Sequence, residues 1–140
     1  MADGLYLKGI EQMGLGNVNM ESDTIKLAPM ATSYTPNYTT ESFWSDVSAS
    51  LASGATAVTL ASKTFDIDTG NSRVEFDAAD VSESSQTFST DKFVIYKDTG
   101  VASTSPLICC IAFSEGTLSP VAGTFAITVN AEGFFSIPSA

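Results

Sequence analysis

Few residues in this chain are equipped to do chemistry. Histidine is absent, which removes the usual Ser-His-acid and Cys-His catalysts and the commonest transition-metal ligand. Cys109 and Cys110 are adjacent, between Ile108 and Ile111. In a strand their side chains point to opposite faces. A disulfide between them would need a strained turn, so both read as buried free thiols. Asp66-Ile67-Asp68-Thr69-Gly70-Asn71 alternates carboxylates like the first half of a calcium loop, but lacks a third acidic ligand and the closing Glu of an EF-hand. It reads as a solvated strand end and turn, with a weak surface Ca2+ site at Asp66 and Asp68 as the alternative. Acid pairs for glycoside hydrolysis can be drawn among Asp66, Asp68, Glu75, Asp77 and Asp80, as in any acidic protein. Gly14-Leu15-Gly16 lacks the last glycine and the preceding strand of a dinucleotide fingerprint, and reads as a turn. Tyr34, Tyr38, Phe43 and Trp44 form either a stacking platform for sugars or a hydrophobic cap or interface anchor. The resulting expectation is a protein that is not an enzyme and carries no cofactor.

The elements that must hold these residues are mostly short strands. Lys92–Lys97 is predicted as a strand, with Phe93-Val94-Ile95-Tyr96 rich in β-branched and aromatic residues, and Asp98-Thr99-Gly100 supplies turn chemistry. Leu107–Phe113 is apolar throughout, which predicts a strand buried on both faces. Further strands are predicted at 23–31, 55–60, 64–68, 73–76, 124–129 and 134–137, with a weak one at 87–89. Turn residues separate them at Ser53-Gly54, Gly70-Asn71, Glu115-Gly116, Ala122-Gly123 and Ala131-Glu132-Gly133. Pro29 implies an edge or a bulge in the first of these strands. Val81–Gln86 reads as a mobile loop. Leu5, Leu7, Ile10 and Met13 suit a short helix on its own core or a tethering arm over residues 1–16. Thr39 or Thr40 can cap a helix over 41–47, with Phe43, Trp44 and Val47 on one face. The expected fold is mainly β: an antiparallel sandwich, jelly-roll-like or squat barrel, with one or two short helices in a single domain over 1–140.

Composition narrows the partners. The chain has 140 residues and a formal net charge of −10, with only six basic residues, scattered along it. Without a Lys/Arg cluster, neither nucleic acid nor an anionic membrane surface is an expected partner. No apolar run approaches the ~18 residues that span a bilayer. Met1-Ala2-Asp3-Gly4 lacks the pattern of a secretory signal, so synthesis in a cytoplasm is expected and the sequon at Asn37-Tyr38-Thr39 carries little weight.

Asp23-Thr24-Ile25-Lys26-Leu27, Tyr34-Thr35-Pro36-Asn37, Phe43-Trp44-Ser45-Asp46-Val47 and the stretch 93–108 occur in this order. In that order they resemble a family of small virion structural proteins of tailed bacteriophages, the capsid decoration or cement proteins. The resemblance covers roughly residues 20–137, and Val94–Gly100 is its most specific part. Ala28-Pro29-Met30 and Asn130-Ala131 depart from the family pattern, which has a more hydrophobic strand at the first and often a Trp at the second. The resemblance implies a protein on the capsid surface, bound to the major capsid protein and linking capsomers. It implies a homo-oligomer, trimer or dimer, matching the local axes of the shell. A tail, neck or baseplate protein is the alternative, and a carbohydrate-binding adsorption module a further one. The interface residues expected are Leu5, Tyr6, Leu7 and Ile10 in the arm, Tyr34, Tyr38 and Trp44 in the aromatic segment, and Phe134, Phe135 and Ile137 near the C-terminus. The alternative for Phe43, Trp44 and Phe134 is plain core. If the arm is a tether, deleting residues 1–13 should leave a folded protein that binds shells poorly.

Overall fold

In the computed structural model, residues 3–129 and 133–139 are described. The fold is mainly antiparallel β and sandwich-like, with two short helices. Its centre is the hairpin of β7 (Lys92–Lys97) and β8 (Leu107–Ala112). These strands lie inside a five-stranded sheet. Beside β7 runs β2 (Ile25–Met30), then β3 (Val58–Thr59); beside β8 runs β1 (Gly4–Leu5). A second sheet contains β4 (Thr64–Asp68), β5 (Arg73–Asp77) and β10 (Phe135–Pro138), with β5 in the middle. A third pairs β6 (Val81–Gln86) with β9 (Gly123–Ile127).

The apolar run of β8 is buried on both faces, as its composition requires. One face carries Ile25, Leu27, Phe93, Ile95 and Cys109, packed against Phe76, Phe88 and Phe125 from the other two sheets. The opposite face carries Ala28, Met30, Val94, Tyr96, Leu107 and Cys110, covered by Tyr6, Tyr34 and Val47. The register shifts after Ile95, which pairs with Cys109 while Tyr96 pairs with Leu107. Ile108 is therefore the extra residue of a bulge and turns to the same side as Cys109. Rings join the layers: Phe134 packs on both Phe93 (5.7 Å) and Phe76 (6.0 Å), and Phe113 bridges Phe93 (5.2 Å) and Phe125 (6.0 Å).

Several local expectations are revised. The loop read at Val81–Gln86 is strand β6: Val81 is buried and the segment pairs with β9. Its register shifts between Glu83 and Gln86, where Ser85 takes φ 58°. No strand forms at 87–89. β2 is an interior strand and Pro29 introduces no shift in its pairing with β7. The Pro29 carbonyl accepts from Ala52 N–H, on the side away from β7. In an extended residue N–H and C=O point the same way, so the missing donor falls where β3 has already ended and costs the β7 ladder nothing. The helix read over 41–47 is only α2 (Trp44–Val47). Its start is held by Asp46, whose carboxylate accepts from the N–H groups of Ser42 (2.8 Å) and Phe43 (3.0 Å), and not by a threonine cap. The turn read at Ala131-Glu132-Gly133 and the departure at Asn130-Ala131 lie, apart from Gly133, outside the described residues.

Candidate functional site

The aromatic segment folds inward. Tyr6 is fully buried and donates its hydroxyl hydrogen to Tyr34 (2.6 Å), which donates to Glu41 (2.7 Å). The direction follows from Glu41: its carboxylate takes the one proton Tyr34 has, so Tyr34 can only accept from Tyr6. Burial, above all, drives the Tyr6 and Tyr34 hydroxyls far above the ordinary phenol range. Tyr38, half-buried, packs on Tyr6 with centroids 5.0 Å apart, and its ring seats against Gly4, where a Cβ would come within 2.7 Å of it. Trp44 stacks on Tyr96. Tyr34 and one face of Trp44 are thus engaged within the fold and do not make an open platform for sugars.

From Asp3 onward the N-terminal segment is docked on the fold and is not a free arm. Asp3 accepts from Ala112 N–H (2.7 Å), β1 pairs with Cys109 and Cys110, and Tyr6 N–H donates to Ile108 (2.9 Å). Helix α1 (Leu7–Gly14) lies against β8 through Gly9. A Cβ at Gly9 would sit 2.4 Å from the Leu107 carbonyl oxygen, so only glycine allows this approach. Among the expected interface residues here, Leu5 packs with the core and Tyr6 is inside it. Leu7 and Ile10 face outward at 55% and 43% exposure, with Leu15 beyond them. At 100° per residue, Tyr6, Gly9 and Met13 form the inner stripe and Leu7, Ile10 and Gly14 the stripe beside it. The helix is apolar over both, and its own core covers only the first.

Near the C-terminus, Phe134 and Phe135 are partly buried core, and Ile137 continues outward from them. Cys109 and Cys110 lie on opposite faces of the sheet as free thiols. Burial pushes Cys110 up to about 12 and Cys109 well above its ordinary value. Asp68 caps the β4–β5 turn, accepting from Asn71 N–H (3.3 Å) and Nδ2 (2.7 Å), and lies 3.4 Å from Arg73. Asp66 precedes it on the same face, and among the described residues no cluster of three or more Cys, Asp or Glu is placed to hold a metal.

The feature that sequence reasoning missed is a row across the second sheet. Phe65, Phe76 and Phe135 are cross-strand partners, and two residues further along the same face Ile67, Val74 and Ile137 are partners in turn. The phenylalanines pack on the core. The aliphatic row belongs to neither buried cluster, Ile67 is 76% exposed, and the three line an open groove of about 530 Å3 with Pro138. The alternation Phe65, Ile67 against Asp66, Asp68 announced a two-faced strand. It carried no sign that the core ends between the two apolar positions.

No protein-family model, curated protein or solved structure matches the chain.

Proposed function

We propose that this chain is a non-enzymatic virion structural protein that binds the outside of an assembled phage capsid and links neighbouring capsomers. The observation that carries the reading is the meeting of the four segments behind the resemblance, distant in sequence, around one hairpin. Thr24 accepts from Asp98 N–H (2.8 Å), Lys26 pairs with Asp98 (3.0 Å) and Asp23 with Lys97 (3.0 Å). Trp44 N–H donates to Ser105 (2.8 Å), and Phe43 bridges to Pro106. Tyr34 lies in the same buried cluster as Tyr96 and Leu107. Residues that recur together in a family are expected to specify one such unit.

The surface supports a bridging role. Exposed apolar side chains sit on separate elements: Leu7 and Ile10 on α1, Ile67 on β4, Val101 and Val121 on loops. Each offers a contact well under the ~1,000 Å2 of a stable pairwise interface. Several engaged at once hold tightly through effective concentration. Binding to the assembled shell and not to separated subunits then stabilises the shell by linkage.

The test is co-sedimentation of the purified protein with expanded empty heads and, separately, with tails. Saturable binding to heads near one copy per capsid subunit is the expected result. Binding to tails alone would transfer the assignment to a tail, neck or baseplate role, and binding to neither would overturn both.

A further inference from the structure

We propose that the groove beside Val121 is the contact through which two copies of this chain pair about a two-fold axis, the Val121 of each seated in the groove of the other. None of the interface residues expected from the sequence lies there. The groove, of about 440 Å3, is lined by residues 119–121, 87–89 and 31–32 together with Ser53. Val121 stands in this lining 78% exposed. The loop that carries it is held at every step. Thr90 and Leu118 exchange backbone bonds (2.9 and 2.7 Å), and Phe88 N–H donates to Pro120 (3.2 Å). The Ser89 and Ser119 hydroxyls meet at 2.9 Å, and Ala122 N–H donates to the Thr87 hydroxyl (2.9 Å). Ala122 takes φ 47°, a conformation that glycine enters freely and alanine only at a cost. Ala31 and Thr32 are held in turn by the buried Lys92, whose ammonium donates to both carbonyls (3.4 and 3.2 Å) and is balanced by Asp91. An apolar knob and a groove thus stand side by side, already formed, and bind without reordering.

Charge selects the occupant. Among the described residues, none in this lining is ionisable, whereas the groove at Ile67 contains Asp68 and Arg73. The chain as a whole carries −10. A basic partner is drawn to carboxylates, and this face offers it none. Two copies repel wherever their acids meet, so the face on which they can close is one without them. The hydroxyls of Thr32, Ser53, Thr87, Ser89 and Ser119 complete the match. A hydroxyl both donates and accepts, so such a surface is complementary to its own image, as a contact across a two-fold axis must be. With knob and groove adjacent, one axis fills both grooves at once. A sugar finds no platform here: Phe88, the ring in this lining, is buried and packs edge-on to Phe125.

The contact is small, below the ~1,000 Å2 of a stable pairwise interface. Pairing in solution is therefore weak and depends on concentration. Copies fixed as neighbours on a surface would pair more fully through effective concentration.

The experiment is sedimentation velocity of the purified full chain over a concentration series at low and high salt. Wild type is run beside Val121→Glu and Ile67→Glu, with thermal melts to confirm folding. Both substitutions add one carboxylate at an exposed site, so total charge is equal and only its place differs. Wild type is expected to show a dimer fraction that grows with concentration and with salt, as screening relieves the repulsion. Val121→Glu is expected to weaken pairing about tenfold, and Ile67→Glu little. A wild type that stays monomeric throughout, pairing that salt weakens, or Val121→Glu pairing as well as Ile67→Glu would each overturn the contact. A monomeric wild type whose binding to heads is lost in Val121→Glu would give the groove to a shell protein instead. Failure of pairing leaves the capsid reading standing, since binding to heads decides that.

Discussion

Trp44 lies flat on Tyr96, ring centroids 4.4 Å apart and planes within 3° of parallel. The contact joins α2 to the central hairpin, and the Trp44 N–H bond to Ser105 holds the same place from the backbone. Trp44→Ala removes the stack and opens a gap beside Val47. The ring is half-buried, so the expected loss is about 2–3 kcal/mol, below the ~3–5 of a fully buried Trp. Denaturant unfolding should show it as a lower midpoint with the slope unchanged. A loss within about 0.5 kcal/mol would mean that the Ser105 bond and Val47 alone fix α2.

The tyrosine relay predicts an order of effects. Tyr34→Phe leaves the buried Tyr6 hydroxyl with its acceptor gone, which costs about 1–3 kcal/mol. Tyr6→Phe removes the donor itself, and Tyr34 keeps Glu41, so about 1 kcal/mol is expected. The double variant should cost less than the sum, because with both hydroxyls gone nothing polar is stranded at the Tyr6 position. Equal single effects that add would show that the two hydroxyls are not coupled.

Deleting residues 1–13 is expected to unfold the protein or nearly so, reversing the outcome anticipated for a tether. The deletion takes away fully buried Tyr6, the strand covering the β8 edge and the helix over Leu107 and Ile108. Gly9→Ala tests the same docking more gently. Alanine favours helix by about 1 kcal/mol over glycine, yet its Cβ would collide with the Leu107 carbonyl. A lower melting temperature is expected, with faster amide exchange at Tyr6. A truncated protein that melts like wild type would restore the arm.

The legibility of the chain follows how strongly each segment commits to one face. Lys92–Lys97 and Thr64–Asp68 were read to the residue because β-branched and aromatic side chains leave few other conformations. The opposite facing of Cys109 and Cys110 followed from strand period alone. Val81–Gln86 was missed because only Val81 is apolar; its strand is imposed by β9. The N-terminal segment was legible as a helix but not as a docked one, since the decisive residue is Gly9, whose message is an absent side chain. The Tyr34–Trp44 aromatics were visible, but not their direction, because a buried relay and an exposed platform use the same residues. At Ile67 the alternation with Asp66 and Asp68 is plain in the sequence, and only the extent of the core decided that its face stays uncovered.

Extremes of pH should destabilise the fold through different groups. Asp46 is held below the usual carboxylate range by the N–H groups of Phe43 and Ser42, and Asp98 by the Gly100 N–H and Lys26. Unfolding returns both toward their ordinary 3.8, so their contribution is full above that value and lost as pH falls through the lower folded values. At the alkaline end burial raises Tyr96 and Cys110 to about 12, against 10.0 and 9.0 in an open chain. Tyr6, Tyr34 and Tyr38 are raised as well, chiefly by burial. Below the open-chain values these groups are neutral in both states. Above them the unfolded chain releases protons that the folded one retains, and stability falls as pH rises toward the folded values. Stability is therefore expected to be flat between about pH 5 and 8 and to decline on both sides. All four tyrosines take part, so phenolate absorbance should appear in one step with the loss of circular dichroism. Gradual ionisation near pH 10 with the dichroism unchanged would mean that the rings are open to solvent, and would undo the inward placement of Tyr6, Tyr34 and Tyr96.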